Sequence, residues 1–102
     1  MNAGHYQGVG VDLSGVTTVL LPGTGSDENY VYRAFSRPAR EIGAVLVTPR
    51  PRPERLIDGY LAALDAAARE GPIAVGGVSI GAAVAAAWAL AHPDRTVRSE
   101  ER

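Results

Sequence analysis

The chain has 102 residues, 46% of them hydrophobic, with Lys+Arg 10 against Asp+Glu 11, a size and balance that fit one domain and create no positive field to gather nucleic acid. It has no cysteine, which removes disulfides, thiolate metal sites and a cysteine nucleophile. Every basic residue is arginine, which removes a phosphate-loop lysine, a Schiff base and a Ser-Lys dyad, and His5 and His92 are the only imidazoles.

In chain order, residues 1–10 lack the basic start and apolar run of a signal peptide, so a cytoplasmic location is the expectation. Residues 8–15 offer one weak edge strand. The run Thr17–Leu21 (TTVLL) is β-branched and apolar and stops at Pro22-Gly23, which predicts a buried strand followed by a glycine-rich turn. A helix is expected from Ser26 or Asp27, either of which can cap it, with Tyr30, Val31, Ala34 and Phe35 on its apolar face and its end near Ser36, before Pro38.

Residues 44–48 (AVLVT) read as a second buried strand, and the alternating prolines of 49–53 (PRPRP) form a stiff loop. Their spacing is not P-x-x-P, and Arg50, Arg52 and Arg55 are either a solvated loop or an attraction for an anionic substrate. Residues 54–70 then place Leu56, Ile57, Tyr60, Leu61, Leu64 and Ala68 on one helical stripe, ended by Gly71-Pro72. A third strand spans 73–78 (IAVGGV), and after Ser79 the run Ile80–Ala91 is apolar on all sides, as a central helix would be. The tail 96–102 is polar and expected to fray. Alternating strands and helices predict an α/β domain with a parallel sheet and right-handed crossovers.

The sharpest motif is Gly77-Val78-Ser79-Ile80-Gly81, a G-x-S-x-G set between an apolar strand and an apolar helix. A turn that tight holds its serine in a strained conformation, and side chains at Gly77 or Gly81 would strike the neighbouring strand and helix. Leu21-Pro22-Gly23-Thr24-Gly25-Ser26-Asp27 follows the first strand and opens the first helix. Bland alternatives stand beside this reading. The turn at 23–25 suits a nucleotide phosphate, although Glu28 occupies the place of the third glycine in G-x-G-x-x-G and repels phosphate. Gly77 and Gly81 also make a G-x-x-x-G pair inside the uncharged stretch 72–91, a membrane-helix pattern that Pro72, Gly76 and Gly77 argue against. Asp58, Asp65 and Asp94 read as surface charges, and Trp88 as core.

Over about residues 17–95 the sequence resembles the α/β-hydrolase family, on the two motifs in their order and on the Ala-rich helix ending Leu90-Ala91-His92-Pro93-Asp94-Arg95. The resemblance implies a three-layer α/β/α fold and a serine hydrolase acting on an ester, thioester or amide through an acyl-enzyme. It implies Ser79 as nucleophile, the backbone amides of Ile80 and Thr24 as oxyanion donors, Gly77 and Gly81 as the elbow, a small acyl substrate, and no metal, cofactor, nucleic acid or membrane. Pro22 stands where many relatives carry a His before the Gly.

In this family the acid and the histidine follow the serine, and 23 residues follow Ser79. His92 lies 13 positions on, roughly 20 Å along a helix and outside a general base's reach; nothing in the sequence places His5 near the elbow. The expectation is therefore one incomplete domain over 1–102, truncated after the nucleophile helix and inactive alone, with an open edge beside the third strand through which copies could associate. The competing class is a non-catalytic α/β chain, a fragment or a partner-dependent piece.

Overall fold

A computed structural model describes residues 14–23 and 27–97. Strands β1 (Thr17–Leu21), β2 (Val45–Val47) and β3 (Ala74–Gly77) form one parallel sheet in the order β2-β1-β3. Helices α1 (Glu28–Glu41), α2 (Leu56–Ala67) and α3 (Ile80–Ala91) alternate with them, and short 3-10 turns at Pro53–Arg55 and Ala68–Glu70 extend α2 at both ends. This is the expected α/β class with a parallel sheet. The positions expected to form an edge strand lie, apart from Ser14 and Gly15, outside the described residues, as do His5, Thr24 and Ser26. Among the described residues no helix is long and apolar enough to cross a membrane.

β1 sits in the middle of the sheet, with apolar side chains on both faces. Val19 and Leu21 are fully buried in a cluster with Tyr60, Leu64 and Ala68 from the α2 segment, Ile73, and Val84, Ala85 and Trp88 from α3. Strand alternation sends Thr18 and Leu20 to the other face. There α1 packs against β1 and β2 and buries Val31, which is no part of the main cluster.

Four expectations about the helices need correction. Helix α1 does not stop before Pro38 but runs through it to Glu41. Proline at that point removes the bond to the carbonyl of Ala34 and crowds that carbonyl, but both residues face solvent, which can hydrate the orphaned oxygen. Of the expected apolar face of α1, only Val31 is buried, with Tyr30 54% and Phe35 39% exposed. Helix α3 is not enclosed on all sides: Gly81, Val84, Ala85 and Trp88 face the core, whereas Leu90 is 85% exposed. Likewise Ile57 leaves the α2 stripe for solvent.

The carboxyl end of α3 is tied down by a polar lock. Buried Trp88 donates its indole N–H to Asp65 Oδ1 at 3.0 Å, and Arg95 reaches the same carboxylate at 3.4 Å and the Asp65 carbonyl at 3.1 Å. The Arg95 guanidinium lies 5.3 Å from the Trp88 ring centroid. After the turn Pro93–Arg95 the chain pairs with β3: Ile73 N–H donates to Arg95 O at 3.0 Å, and Val97 N–H donates to Ile73 O at 2.8 Å. The Ile73–Thr96 bridge is parallel, so Thr96 and Val97 begin a fourth strand position inside the segment expected to fray. Asp65, read as an ordinary surface charge, is the hub of this arrangement.

Asp65→Ala leaves the buried indole N–H without its acceptor and should cost about 1–3 kcal/mol, whereas Arg95→Ala, which removes a partly exposed ion pair, should cost less than about 1 kcal/mol. Urea unfolding followed by the fluorescence of the single tryptophan checks both, and equal losses would contradict this ranking.

Candidate active site

Chain order and spatial order differ at β1. The chain leaves β1 for β2 and returns past it to β3, so the segments after β1 and β3 diverge at their carboxyl ends. Such a switch point opens a crevice where ligands of doubly wound sheets bind. Pro22-Gly23 and Ser79 both stand at this switch point.

Ser79 has φ 56° and ψ −122°, and it is the only non-glycine with positive φ among the described residues. That conformation is held from both sides. Behind it, Val78 N–H donates to Leu21 O at 3.0 Å. Ahead of it, Gly81 N–H donates to Val78 O and Ala82 N–H to Ser79 O, each at 2.9 Å, which starts α3. Serine at a helix start normally turns its hydroxyl back onto an amide of the first turn. Ser79 makes no such bond and is exposed, so its hydroxyl projects from the sheet edge. The Ile80 amide is the first of α3 and has no acceptor within the helix.

The glycines show why no other residue fits. A Cβ on Gly77 would lie 2.6 Å from Gly81 O and 2.7 Å from Ala82 N, and one on Gly81 would run into Leu21 O and come within 2.8 Å of Pro22 O. Gly23 matters equally, since its Cβ would sit 2.6 Å from Val78 O and 2.8 Å from Ser79 Cβ. The turn after β1 therefore packs directly on the elbow. Gly77 and Gly81 had been assigned this role from the sequence; Gly23 had been seen only as part of a glycine-rich turn.

Tyr60 was read as one member of an apolar stripe. It is 1% exposed, and its hydroxyl donates to Pro22 O at 2.7 Å, one residue before Gly23. Burial first, then the negative charge of Glu28, pushes its hydroxyl above the ordinary value of 10.0. The available signal was chemical: a buried tyrosine hydroxyl needs a partner, and a helix stripe facing the end of β1 offers one.

The remaining candidates are not brought together. The His92 ring packs against Trp88 with centroids 4.8 Å apart, at the opposite end of α3 from Ser79, so the one histidine among the described residues is no base for it. Arg50, Arg52 and Arg55 are solvent-exposed, and Arg50 pairs with Glu28 at 3.8 Å, which favours the solvated-loop reading. Asp27 Oδ1 accepts from Tyr30 N–H at 2.8 Å and caps α1. Beside the elbow lies an open depression of about 340 Å³, lined by residues 53–58 and Ile80.

Compared with protein-family models, with curated proteins and with solved structures, the chain has no match in any of the three.

Two substitutions separate strain from packing. Ser79→Gly relieves a conformation worth about 1–3 kcal/mol of strain at an entropy cost of about 0.5–1 kcal/mol, so it should raise stability by about 1 kcal/mol, whereas Ser79→Ala should not. Thermal melts of both variants decide this. Tyr60→Phe leaves the buried Pro22 carbonyl unpaired and should cost about 1–3 kcal/mol at neutral pH. Because the folded state holds the Tyr60 proton more tightly than the unfolded chain does, the Tyr60 contribution is complete below about pH 10 and is lost as pH rises through the raised folded value. The gap between wild type and Tyr60→Phe in urea midpoint should therefore narrow in alkali; a gap constant with pH would contradict the assignment.

Proposed function

We propose that this chain carries the nucleophile and oxyanion side of a serine acyl hydrolase of the α/β-hydrolase type. The observation that carries the reading is the backbone of Ser79: a non-glycine residue at φ 56°, wedged between three glycines at the carboxyl end of a parallel strand, with its hydroxyl free of helix capping. Strain of this kind persists where the surroundings enforce it and concentrates at reactive sites. In this reading Ser79 Oγ attacks an ester, thioester or amide carbonyl, and the bond to the leaving group breaks to give an acyl-serine. Water then releases the acid. The Ile80 amide, at the positive end of α3, meets the developing oxyanion, and the Thr24 amide is assigned as the second donor by the family resemblance. The depression beside Ile80 would take part of the substrate.

Ser79 must give up its proton as it attacks, and the described residues place no base beside it. The phosphate-binding alternative is the weaker one. Its helix amino end is capped by Asp27, and Glu28 follows in the first turn, so two carboxylates stand where a phosphate would sit.

A fluorophosphonate probe tests the proposal. The purified chain should label slowly at Ser79 and not at all as Ser79→Ala. Added imidazole, a soluble base, should accelerate labelling of the wild type about tenfold, below the factor of about 10²–10⁴ that a positioned base supplies. Absence of Ser79 labelling at every imidazole concentration, in protein shown by circular dichroism to be folded, would sink the hydrolase reading.

A further inference from the structure

The carbonyl of Pro22 stands past the end of both strand ladders. β2 pairs with β1 only as far as Val47 opposite Val19, and β3 only as far as Gly77 opposite Leu21. The next amide after β3, Val78 N–H, donates to Leu21 O at 3.0 Å. Pro22 is fully buried, and a buried carbonyl needs a donor from somewhere. Among the described residues that donor is the Tyr60 hydroxyl, at 2.7 Å, on a side chain that is itself 1% exposed. Tyr60 belongs to α2 and lies outside both glycine motifs.

The elbow rests on this carbonyl and its neighbour. A Cβ on Gly81 would fall 2.8 Å from Pro22 O, and one on Gly23 would fall 2.8 Å from Ser79 Cβ and 2.6 Å from Val78 O. The Pro22-Gly23 peptide is thus held between α2 and the serine. Three successive residues are fixed by three different groups: Leu21 by the Val78 amide, Pro22 by the Tyr60 hydroxyl, and Gly23 by its seat on Ser79. Glycine permits the close approach but brings a backbone free to rotate, and proline brings no N–H with which to anchor itself. The hydroxyl supplies a restraint that neither residue type provides. Without it, the buried carbonyl turns toward water to recover a partner, and Gly23 moves with it because the two share a peptide.

We propose that Tyr60 is a positioning residue for the acyl chemistry: through the Pro22 carbonyl it holds Gly23 against Ser79 and fixes the direction in which Ser79 Oγ meets an electrophile. The assignment rests on Ser79 being the nucleophile. Tyr60 touches no reacting atom, and it is no part of the depression lined by residues 53–58 and Ile80. Its effect therefore falls on the alignment of attack and not on the binding that precedes it.

Fluorophosphonate labelling of the full chain with imidazole present tests this, once the rate is split into its maximal value and the half-saturating probe concentration. Tyr60→Phe keeps the ring in the core and removes only the hydroxyl. Its maximal rate should fall about tenfold or more, since a misplacement on the order of 1 Å costs up to about 10²-fold, with half-saturation unchanged. Asp65→Ala is the control, because it also leaves a buried polar group without its partner, but at the far end of α3. Distant sites act independently, so its maximal rate should stay within about twofold of wild type. Assays in sodium sulfate, which favours compact states, keep the variants folded, and circular dichroism verifies this. Hydrogen exchange of the Val78 amide, which bonds across the same junction, reads the restraint without any chemistry and should quicken more in Tyr60→Phe than in Asp65→Ala. Equal maximal rates in wild type and Tyr60→Phe overturn the positioning role while leaving Ser79 as nucleophile. Equal losses in the two variants, or Val78 exchange that Tyr60→Phe leaves unchanged, overturn it as well. A wild type without labelling at Ser79 overturns the hydrolase reading, and this role with it.

Discussion

The structure depends on the absence of side chains at three points. Gly77, Gly81 and Gly23 let the start of α3, the end of β3 and the turn after β1 meet backbone to backbone. A methyl group at any one of them would collide with main-chain atoms, which cannot rotate away as a side chain can. Ser79 is caught in that junction, and its strained φ is the consequence of closing a strand onto a helix within two residues, Val78 and Ser79. Such a conformation survives only if its surroundings hold it more firmly than about 1–3 kcal/mol. Here they do so through the Val78–Leu21 bond, the opening bonds of α3, and the fully buried Leu21 at the end of β1.

The same demand for close approach shapes the core. Alanine on α3 lets that helix lie low over β3, but each alanine buries little area, and hydrophobic stabilisation scales with area at about 25 cal/mol per Å². Tyr60, Leu64, Ile73 and Trp88 therefore carry most of the packing, and two of these also carry polar bonds that locate them. Tyr60 ties α2 to the turn after β1, and Trp88 ties α3 to Asp65 and, through Arg95, to the start of the fourth strand position. The site is thus fixed at its front by a buried hydroxyl and at the far end of α3 by a buried indole.

How much of this was legible in the sequence follows from the nature of each constraint. The G-x-S-x-G motif was readable because its glycines answer a local steric demand within five residues. The parallel sheet was readable because strand and helix periods alternate along the chain. Gly23, Tyr60 and Asp65 were not, since each acts across 23 or more residues, on Ser79, Pro22 and Trp88 respectively. Their partners depend on the strand order β2-β1-β3, which periodicity does not reveal. The expected end of α1 at Pro38 failed for a different reason. A proline is costly in a helix when the orphaned carbonyl is buried, and burial is a tertiary property. The exposed face of α3 was misread alike: an all-apolar helix signals burial only if something covers each side of it.

On the proposed reading, positioning and activation of the nucleophile are separable in this fold. The backbone geometry around Ser79, the Ile80 amide and the dipole of α3 are all set by residues within the sheet and its glycines. These parts act on the transition state without any proton being moved. Elsewhere a single oxyanion donor contributes about 10²–10³ in rate, and hydrolases stripped of their triad retain about 10³–10⁴ over water from such contacts. A positioned base adds a further factor of about 10²–10⁴. The two contributions are comparable, so an elbow without a base is a weak reagent toward ordinary esters and a measurable one toward strong electrophiles. The strain at Ser79 is present whether or not a base is, because it arises from packing. That makes the elbow a property of the fold, and turnover a property of whatever accepts the proton.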